Sequence, residues 1–193
     1  MRPARSLPKS LSGAVLCAVS FGAATVSLRA QPDASLLINA VREGNNAKVI
    51  SLLKERVDVN AVEGDGATVL HWAVYLDDTD TTTLLIQGGA DVNTSNDYGV
   101  TPLGLASRNG SAHILRQLLK AGADPNDSRH AVNAGETPLM LAARSGQVEA
   151  VTTLLDVETD VNAKETWNGQ SALMWATAEG HVSVVRALIA HGA

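Results

Sequence analysis

Apolar residues recur along most of the chain in a pattern that predicts short helices arranged in pairs. In each unit a leucine is followed three residues later by an alanine, and a pair of large aliphatic residues comes further along. The leucine–alanine pairs are Leu70/Ala73, Leu103/Ala106, Leu139/Ala142 and Leu173/Ala176. The aliphatic pairs are Leu52-Leu53, Leu85-Ile86, Leu118-Leu119, Leu154-Leu155 and Leu188-Ile189. A spacing of three places leucine and alanine on one narrow helical stripe, so we expect an all-α fold.

Polar and turn-forming residues recur with the same period. Hydroxyl residues begin successive units 33, 36 and 34 residues apart, at Thr68, Thr101, Thr137 and Ser171. An Asp-x-Asn series runs through 58–60, 91–93, 124–126 and 160–162, and glycines stand at 44, 110, 146 and 180. Thr and Ser cap helix N-termini, and glycine allows a left-handed turn between two helices. A period of this length indicates a stacked repeat architecture.

The three series stay in register, and together they resemble the ankyrin repeat family. The resemblance is carried by Gly-Ala-Asp-Val-Asn at 89–93 and by Thr-Pro-Leu-x-Leu-Ala at 101–106 and 137–142. It covers residues 33–193, divided into repeats at about 33–65, 66–98, 99–134, 135–168 and an incomplete 169–193. It implies an ankyrin-repeat solenoid of helix-turn-helix units with β-turn fingers, in which His71 braces the turns by hydrogen bonding.

Several positions depart from the pattern. Asp77 replaces an inter-helix glycine, and Thr81 and Thr82 stand at apolar positions, so the second helix of that repeat is expected to begin late and pack weakly. Arg56 and Glu158 replace helix-ending glycines, at about 1 kcal/mol each for a left-handed conformation. Three extra residues within 127–134 predict an extended finger near His130.

The N-terminal residues 1–30 resemble a secretory signal peptide of bacterial type. Arg2, Arg5 and Lys9 precede an apolar run at 11–28, and small residues are frequent in that run. We expect cleavage after Ala30, which predicts a periplasmic or secreted location. An uncleaved membrane anchor is the alternative, because 18 residues are marginally long enough to span a bilayer.

Charge and cysteine content narrow the possible partners. Removing residues 1–30 leaves 11 basic against 20 acidic residues, a net charge of −9, and removes the only cysteine. An acidic surface argues against nucleic acid or anionic lipid as a partner. We therefore expect a monomer that binds a protein, uses no cofactor or metal, and makes no membrane contact after signal cleavage.

The resemblance also suggests where that protein binds, because ankyrin-like proteins bind along the concave side through finger tips and first-helix faces. Carried over by position, the candidates are Asp65, Ala67, Asp97, Tyr98, Val100, Asn133, Glu136, Trp167, Asn168 and Gln170 at the tips, and Arg42, Tyr75, Leu76, Arg108, Asn109, Arg144, Ser145 and Glu179 on the helices. Aromatic and arginine side chains dominate interface energetics. The preferred partner-binding residues are accordingly Tyr75, Tyr98, Arg108, Arg144, Trp167 and Asn168. Trp72 and Trp175 lie beside the apolar stripe, where partial burial explains them.

Catalysis is not suggested by any grouping of residues. The five histidines are scattered, and the acidic run 77–80 lacks the glycine and distant glutamate of a calcium loop. A solvated helix start explains that run more simply. One alternative is kept open: the stack ends at Ala193 without a polar capping repeat, so we also consider a targeting or regulatory arm of a longer protein, such as an enzyme.

Overall fold

Ten α-helices account for most of the chain that the structure describes, which is residues 34–128 and 135–193 of a computed structural model. The helices are α1 (Ala34–Arg42), α2 (Asn46–Lys54), α3 (Val69–Tyr75), α4 (Thr79–Gln87), α5 (Pro102–Asn109), α6 (Ala112–Lys120), α7 (Pro138–Arg144), α8 (Val148–Leu155), α9 (Ala172–Ala178) and α10 (Val182–Ala190). Each odd-numbered helix pairs with the even-numbered helix that follows it, which gives five helix-turn-helix units.

The helices form two layers. The first helices of the units, α1, α3, α5, α7 and α9, contact one another in sequence order, and the second helices, α2 to α10, do the same. The predicted alanine stripe lies fully buried between adjacent first helices, at Ala73, Ala106, Ala142 and Ala176. Alanine is required there because a larger side chain would separate helices that touch along their length. The all-α prediction is therefore confirmed for the described residues.

Helix starts follow the predicted caps. The hydroxyl oxygens of Thr101 and Ser171 accept hydrogen bonds from the backbone N–H groups of Gly104 and Met174, at 3.1 and 3.4 Å. Proline occupies the first turn of α5 and α7, where its missing N–H leaves no intrahelical bond unmade. These caps fix where each first helix begins and therefore where the preceding finger ends.

The fingers are short hairpin turns between a second helix and the next first helix; the name is used for residues 62–68, 95–101 and 165–171. In the first two, Glu63 N–H donates to the Ala67 carbonyl at 2.9 Å and Asn96 N–H donates to the Val100 carbonyl at 3.0 Å. The fingers also bond to each other, since Asp97 N–H donates to the Asp65 carbonyl at 2.9 Å. The β-turn fingers of the prediction are thus present.

An asparagine at the base of each finger joins one repeat to the next. Asn93 Nδ2–H donates to the Gly122 carbonyl at 2.9 Å, while Asn93 Oδ1 accepts from Asp124 N–H at 3.0 Å. Asn60 and Asn126 make the same two bonds one repeat earlier and one repeat later, and Asn162 donates to the Gly192 carbonyl. The Asp-x-Asn series is therefore an inter-repeat connection as well as a turn.

His71 connects the first two fingers by hydrogen bonds at both ring nitrogens. Its Nε2–H donates to the Val100 carbonyl at 2.9 Å, and its Nδ1 accepts from the Thr68 backbone N–H at 3.1 Å. The ring is buried, and this burial lowers the pKa of His71, although the Val100 bond and the charge of Asp65 act in the opposite direction. A neutral ring is what this geometry requires, because a protonated Nδ1 could not accept from Thr68. The bracing role that the resemblance implied for His71 is confirmed.

The expectation that the second helix of the second repeat begins late is wrong, whereas α4 does pack less extensively against α2 and α6 than the later second helices pack against each other. Helix α4 begins at Thr79, two residues after Asp77, and Thr81 and Thr82 are completely buried. The Thr82 hydroxyl donates to the Asp78 carbonyl at 2.7 Å, and the Thr81 hydroxyl lies 2.7 Å from the Asp78 carboxylate. Local bonds satisfy both hydroxyls, so the helix buries them at little cost.

The two glycine replacements at helix ends behave differently. Arg56 adopts the left-handed conformation, with φ of 59°, as expected for a residue at a glycine position. Glu158 does not, so the predicted strain there is wrong. In other repeats a backbone N–H, such as that of Ala123, donates to the carbonyl five residues before it; in this repeat the Thr159 hydroxyl donates to the Leu154 carbonyl instead, at 2.7 Å. The hydroxyl removes the need for a left-handed residue.

Two sequence predictions fall outside the described residues. They are the signal peptide at 1–30 and most of the extended finger, at 129–134, which includes the candidate tip residue Asn133. Within the residues that are described, no helix has both the length and the apolar character needed to cross a membrane.

We predict that Asn93→Ala lowers the free energy of unfolding by about 2 kcal/mol, because it removes two inter-repeat hydrogen bonds worth about 1 kcal/mol each. Chemical denaturation measures this. Thr94→Ala, one residue further along, is the matched control and should change stability by less than about 0.5 kcal/mol. Equal effects of the two substitutions would contradict a connecting role for the asparagine.

The lowered pKa of His71 predicts a loss of stability on mild acidification. Below about pH 6.5 the unfolded chain binds a proton that the folded ring resists, so the free energy of unfolding falls as the pH drops towards the lower folded pKa. The contribution is at most about 1.4 kcal/mol per pH unit. Urea titrations between pH 7.5 and 5.5 should give a shallower pH dependence for His71→Gln than for the wild type, and parallel curves would show that His71 is not the group responsible.

Candidate functional site

Two pockets lie where finger tips meet the ends of the first helices. We call the surface that contains both the finger face: residues 63–67, 96–100 and 165–170 of the fingers, with Arg42, Trp72, Tyr75, Arg108, Glu136, Arg144 and Trp175. Because fingers and first helices belong to consecutive repeats, each pocket is formed by at least two repeats. Correct stacking of the repeats is therefore a condition for either pocket to exist.

The first pocket has a volume of about 270 Å³ and lies between the second and third repeats. Trp72, Tyr75, Val100 and Leu105 give it apolar walls. Its two polar finger side chains are engaged in turn formation: Asp65 accepts from the Ala67 N–H at 3.1 Å, and Asn96 Oδ1 accepts from the Val100 N–H at 2.9 Å.

An aromatic and charged cluster borders this pocket. Arg42 pairs with Glu63 at 2.9 Å, and its guanidinium carbon lies 3.8 Å from the centre of the Trp72 ring. Trp72 Nε1–H donates to the same Glu63 carboxylate at 2.7 Å, and the Tyr75 ring meets the Trp72 ring edge to face at 5.9 Å. The cluster holds the indole in one orientation, because Arg42 covers one ring face, Tyr75 meets the ring at an edge-to-face angle and the N–H is bonded to Glu63.

The second pocket, of about 130 Å³, lies between the fourth and fifth repeats and repeats part of that arrangement. Arg144 pairs with Glu136 at 2.6 Å, and its guanidinium carbon lies 5.1 Å from the centre of the Trp175 ring. Unlike Trp72, Trp175 has a buried Nε1–H without a hydrogen-bond partner among the described residues. Trp72 and Trp175 are both half-buried against the core, as predicted.

Glu165 organises the finger that carries Trp167. Its carboxylate accepts backbone N–H bonds from Trp167 at 2.6 Å, from Asn168 at 2.9 Å and from Gln170 at 2.9 Å. These bonds, led by that from Gln170, lower the pKa of Glu165 against the opposing effect of its burial. The carboxylate therefore stays ionised at neutral pH and fixes the backbone beneath the exposed indole.

The structure divides the predicted binding residues between the two pockets. Tyr75 and Arg108 line the first, and Arg144, Trp167 and Asn168 line the second. Tyr98 lies at the tip of the finger that contributes Asn96 and Val100 to the first pocket. The three aromatic side chains are 59% (Tyr75), 55% (Tyr98) and 77% (Trp167) exposed. The guanidinium of Arg144 is already paired with Glu136 and lies over the Trp175 ring.

Sequence reasoning missed Glu63 and Glu165. Both are glutamates in polar turns, which a sequence pattern cannot distinguish from solvated surface residues. The arginine–tryptophan contacts do have a signal in the sequence. Arg42 and Arg144 stand at the same position of their repeats, and in each case the following repeat carries a tryptophan four residues after the Thr or Ser that begins it.

The finger face presents charged, aromatic and amide side chains that suit binding, and few groups of the kinds that catalysis uses. Among the described residues no three His, Cys, Asp or Glu side chains are grouped as metal ligands would be. The acidic run at 77–80 has structural roles: Asp77 adopts a left-handed turn and accepts from the Ser111 hydroxyl at 2.5 Å, and Asp78 caps α4. The predicted helix start explains these carboxylates.

Comparison with known proteins identifies several relatives. The inactive serine/threonine-protein kinase TEX14 of Bos taurus is 37% identical over 110 residues, which are 57% of this chain and 7% of that protein. Palmitoyltransferase AKR1 of Candida glabrata is 34% identical over 95 residues, 47% of this chain and 12% of that protein. Protein phosphatase 1 regulatory subunit 27 of Mus musculus is 31% identical over 94 residues, 48% of this chain and 61% of that protein. The chain thus matches less than two thirds of each of these relatives.

A family pattern covers nearly all of the described residues. The family described as ankyrin repeats (3 copies) matches residues 37–129 and 127–193. The match agrees with the five helix-turn-helix units, the buried alanine stripe and the asparagine connections between repeats. The chain belongs to the ankyrin repeat family.

Proposed function

We propose that this protein is a non-enzymatic interaction module that binds a protein partner on its finger face. Ankyrin repeats are protein-interaction modules. The observation that carries the proposal is the exposure of Tyr75, Tyr98 and Trp167 on one surface, beside two pockets. Large aromatic side chains lose apolar contact with water when a partner covers them, and they are frequent energetic centres of interfaces.

The finger that carries Trp167 supports this function by being pre-ordered. Three backbone N–H groups bind the Glu165 carboxylate, so the loop does not need to lose much conformational freedom when a partner binds. An exposed indole on a fixed backbone costs less entropy to immobilise than one on a mobile loop.

A second candidate function is a regulatory or targeting arm of a longer protein. The matching segment forms 12% of a palmitoyltransferase and 61% of a phosphatase regulatory subunit, so related repeats occur in both settings. The parent reading frame distinguishes the candidates: a catalytic domain beyond residue 193 favours the arm, and further repeats followed by a stop codon favour the independent module.

We also propose that the repeats act outside the cytoplasm, in the periplasm or after secretion, in an organism of bacterial type. The support is the sequence of residues 1–30, in which three basic residues precede an apolar run. A repeat region with no cysteine is compatible with an oxidising compartment.

Affinity capture from an extract of the source organism tests the interaction function. We expect the double substitution Trp167→Ala and Tyr98→Ala to reduce recovery of the captured partner at least about tenfold, because each removed aromatic contact contributes about 1 kcal/mol or more. Ile189→Ala, which removes a similarly exposed apolar side chain from the second-helix layer, is the control and should leave recovery unchanged. If the amount of captured partner were unchanged by the aromatic substitutions, the finger face would be the wrong surface.

Mass spectrometry of the natively produced protein tests export. We expect the mature chain to begin at Gln31 and to appear in the periplasmic or extracellular fraction, because signal peptidase acts after small residues. A chain that retains residues 1–30 in the membrane fraction would support the membrane-anchor alternative instead.

A further inference from the structure

Three arginines occupy the same position in three repeats. Arg42, Arg108 and Arg144 each stand seven residues after the residue that begins their unit, which is Ser35, Thr101 or Thr137. They lie at or beside the C-terminal ends of α1, α5 and α7. Equivalent positions in a repeat stack face the same surface, so the three side chains can be compared directly.

Two of these arginines have their charge satisfied within the chain. Arg42 pairs with Glu63 and stacks on Trp72; Arg144 pairs with Glu136 and lies over Trp175. In both cases the ring comes from the following repeat. The carboxylate comes from the next finger for Arg42 and from the residue before Thr137, in the same repeat, for Arg144. The arrangement of guanidinium, glutamate and indole therefore occurs twice, with the glutamate supplied from two different positions.

Arg108 occupies the third position without either neighbour. The following repeat places Leu141 where Trp72 and Trp175 stand in theirs, and the carboxylate of Glu136 bonds to Arg144. Across residues 34–128 and 135–193, Arg108 forms neither an ion pair nor a ring contact, and its side chain is exposed. Its five N–H donors are therefore available to an external acceptor.

Arg108 also lines the first pocket. The other polar groups of that pocket are engaged: Asp65 and Asn96 accept backbone N–H groups of their own fingers, and His71 bonds to the Val100 carbonyl. The walls beside Arg108 are Tyr75, Trp72 and Leu105. The pocket thus combines one cation, which has no ion-pair partner among the described residues, with an apolar, aromatic surface.

We propose that this pocket binds an acidic side chain in an extended segment of the partner protein, with an adjacent aromatic or aliphatic side chain packed on Tyr75 and Trp72. The proposal deepens the interaction function and rests on it. The partner's carboxylate takes the place beside Arg108 that Glu63 and Glu136 take beside Arg42 and Arg144. Arginine suits this role because its planar guanidinium binds a carboxylate through two parallel hydrogen bonds.

The overall charge of the chain favours a basic partner, which is the opposite of the acidic side chain proposed for the pocket. The chain has a net charge of −5, and its long-range field favours a basic partner. Asp65 adds a carboxylate to the same pocket, although that group already accepts the Ala67 N–H. A basic segment is therefore the competing occupant, and the two occupants give opposite results in the same experiment.

Selection from a phage-displayed library of random peptides on the purified protein tests the proposal. We expect the enriched peptides to share an Asp or Glu next to Phe, Tyr, Trp or Leu. For a synthetic copy of the most enriched peptide, Arg108→Gln should weaken binding about tenfold, the loss typical of one charge-assisted pair. Arg116→Gln, which alters an exposed arginine of α6 paired with Glu149, is the matched control and should leave the affinity unchanged.

A second peptide, in which the acidic residue is replaced by its amide, completes a double-mutant cycle. Replacing the acid should weaken binding to the wild type about tenfold and should have little effect on binding to Arg108→Gln, because the two groups act as one pair. Tyr75→Ala should weaken binding independently of the acid. Circular dichroism of each variant checks that the repeats remain folded.

Three results would overturn the proposal: enrichment of basic peptides, a peptide affinity that Arg108→Gln leaves unchanged, or no enrichment of any peptide. The first two leave the interaction function intact. In particular, peptides whose binding is lost with Trp167→Ala but not with Arg108→Gln would place recognition at the second pocket, so failure of this inference is distinguishable from failure of the finger face itself.

Discussion

The carboxamide of one asparagine per repeat connects each finger base to the next. Asn93 donates to the Gly122 carbonyl and accepts from the Asp124 N–H, and Asn60 and Asn126 do the same in their repeats. An aspartate at these positions would lack the donor, and a lysine would lack the acceptor. The pockets of the finger face depend on these bonds, because each pocket is lined by residues of two consecutive repeats. Helix packing alone would permit small slips that the paired bonds prevent.

The arginine–tryptophan contacts show how a repeated scaffold gives different surfaces at equivalent positions. Position for position, Arg42, Arg108 and Arg144 have the same backbone setting, yet their surroundings differ because the neighbouring repeat supplies Trp72, Leu141 or Trp175. Residues that maintain the stack and residues that vary on the finger face are therefore separate sets. The surface can change without affecting the asparagine connections or the buried alanines.

The helices, their caps and the position of the fingers follow from local sequence rules, and the structure agrees with them. Thr101 begins α5 because its hydroxyl and the following proline suit a helix start, and those properties are visible in the sequence. Thr81 and Thr82 could not be predicted in the same way. Their burial depends on Asp78, whose carbonyl and carboxylate accept both hydroxyls, and this requires the helix to be already formed. Glu63 and Glu165 were missed for a similar reason, since only the folded fingers show that their carboxylates bond to an indole and to three backbone amides.

Thr159 has a consequence for the history of the chain. With glycine at position 158, a left-handed turn lets the next backbone N–H reach the Leu154 carbonyl, and a hydroxyl at 159 is merely tolerated. With glutamate at 158 and no hydroxyl at 159, that carbonyl keeps only the longer bond from the Val157 N–H, at 3.3 Å. The stability of the intermediate sequence therefore depends on which of the two substitutions came first. A lineage that acquired the threonine first could afterwards accept a residue without left-handed backbone at 158, as Glu158 is, whereas losing the glycine first would give a less stable intermediate.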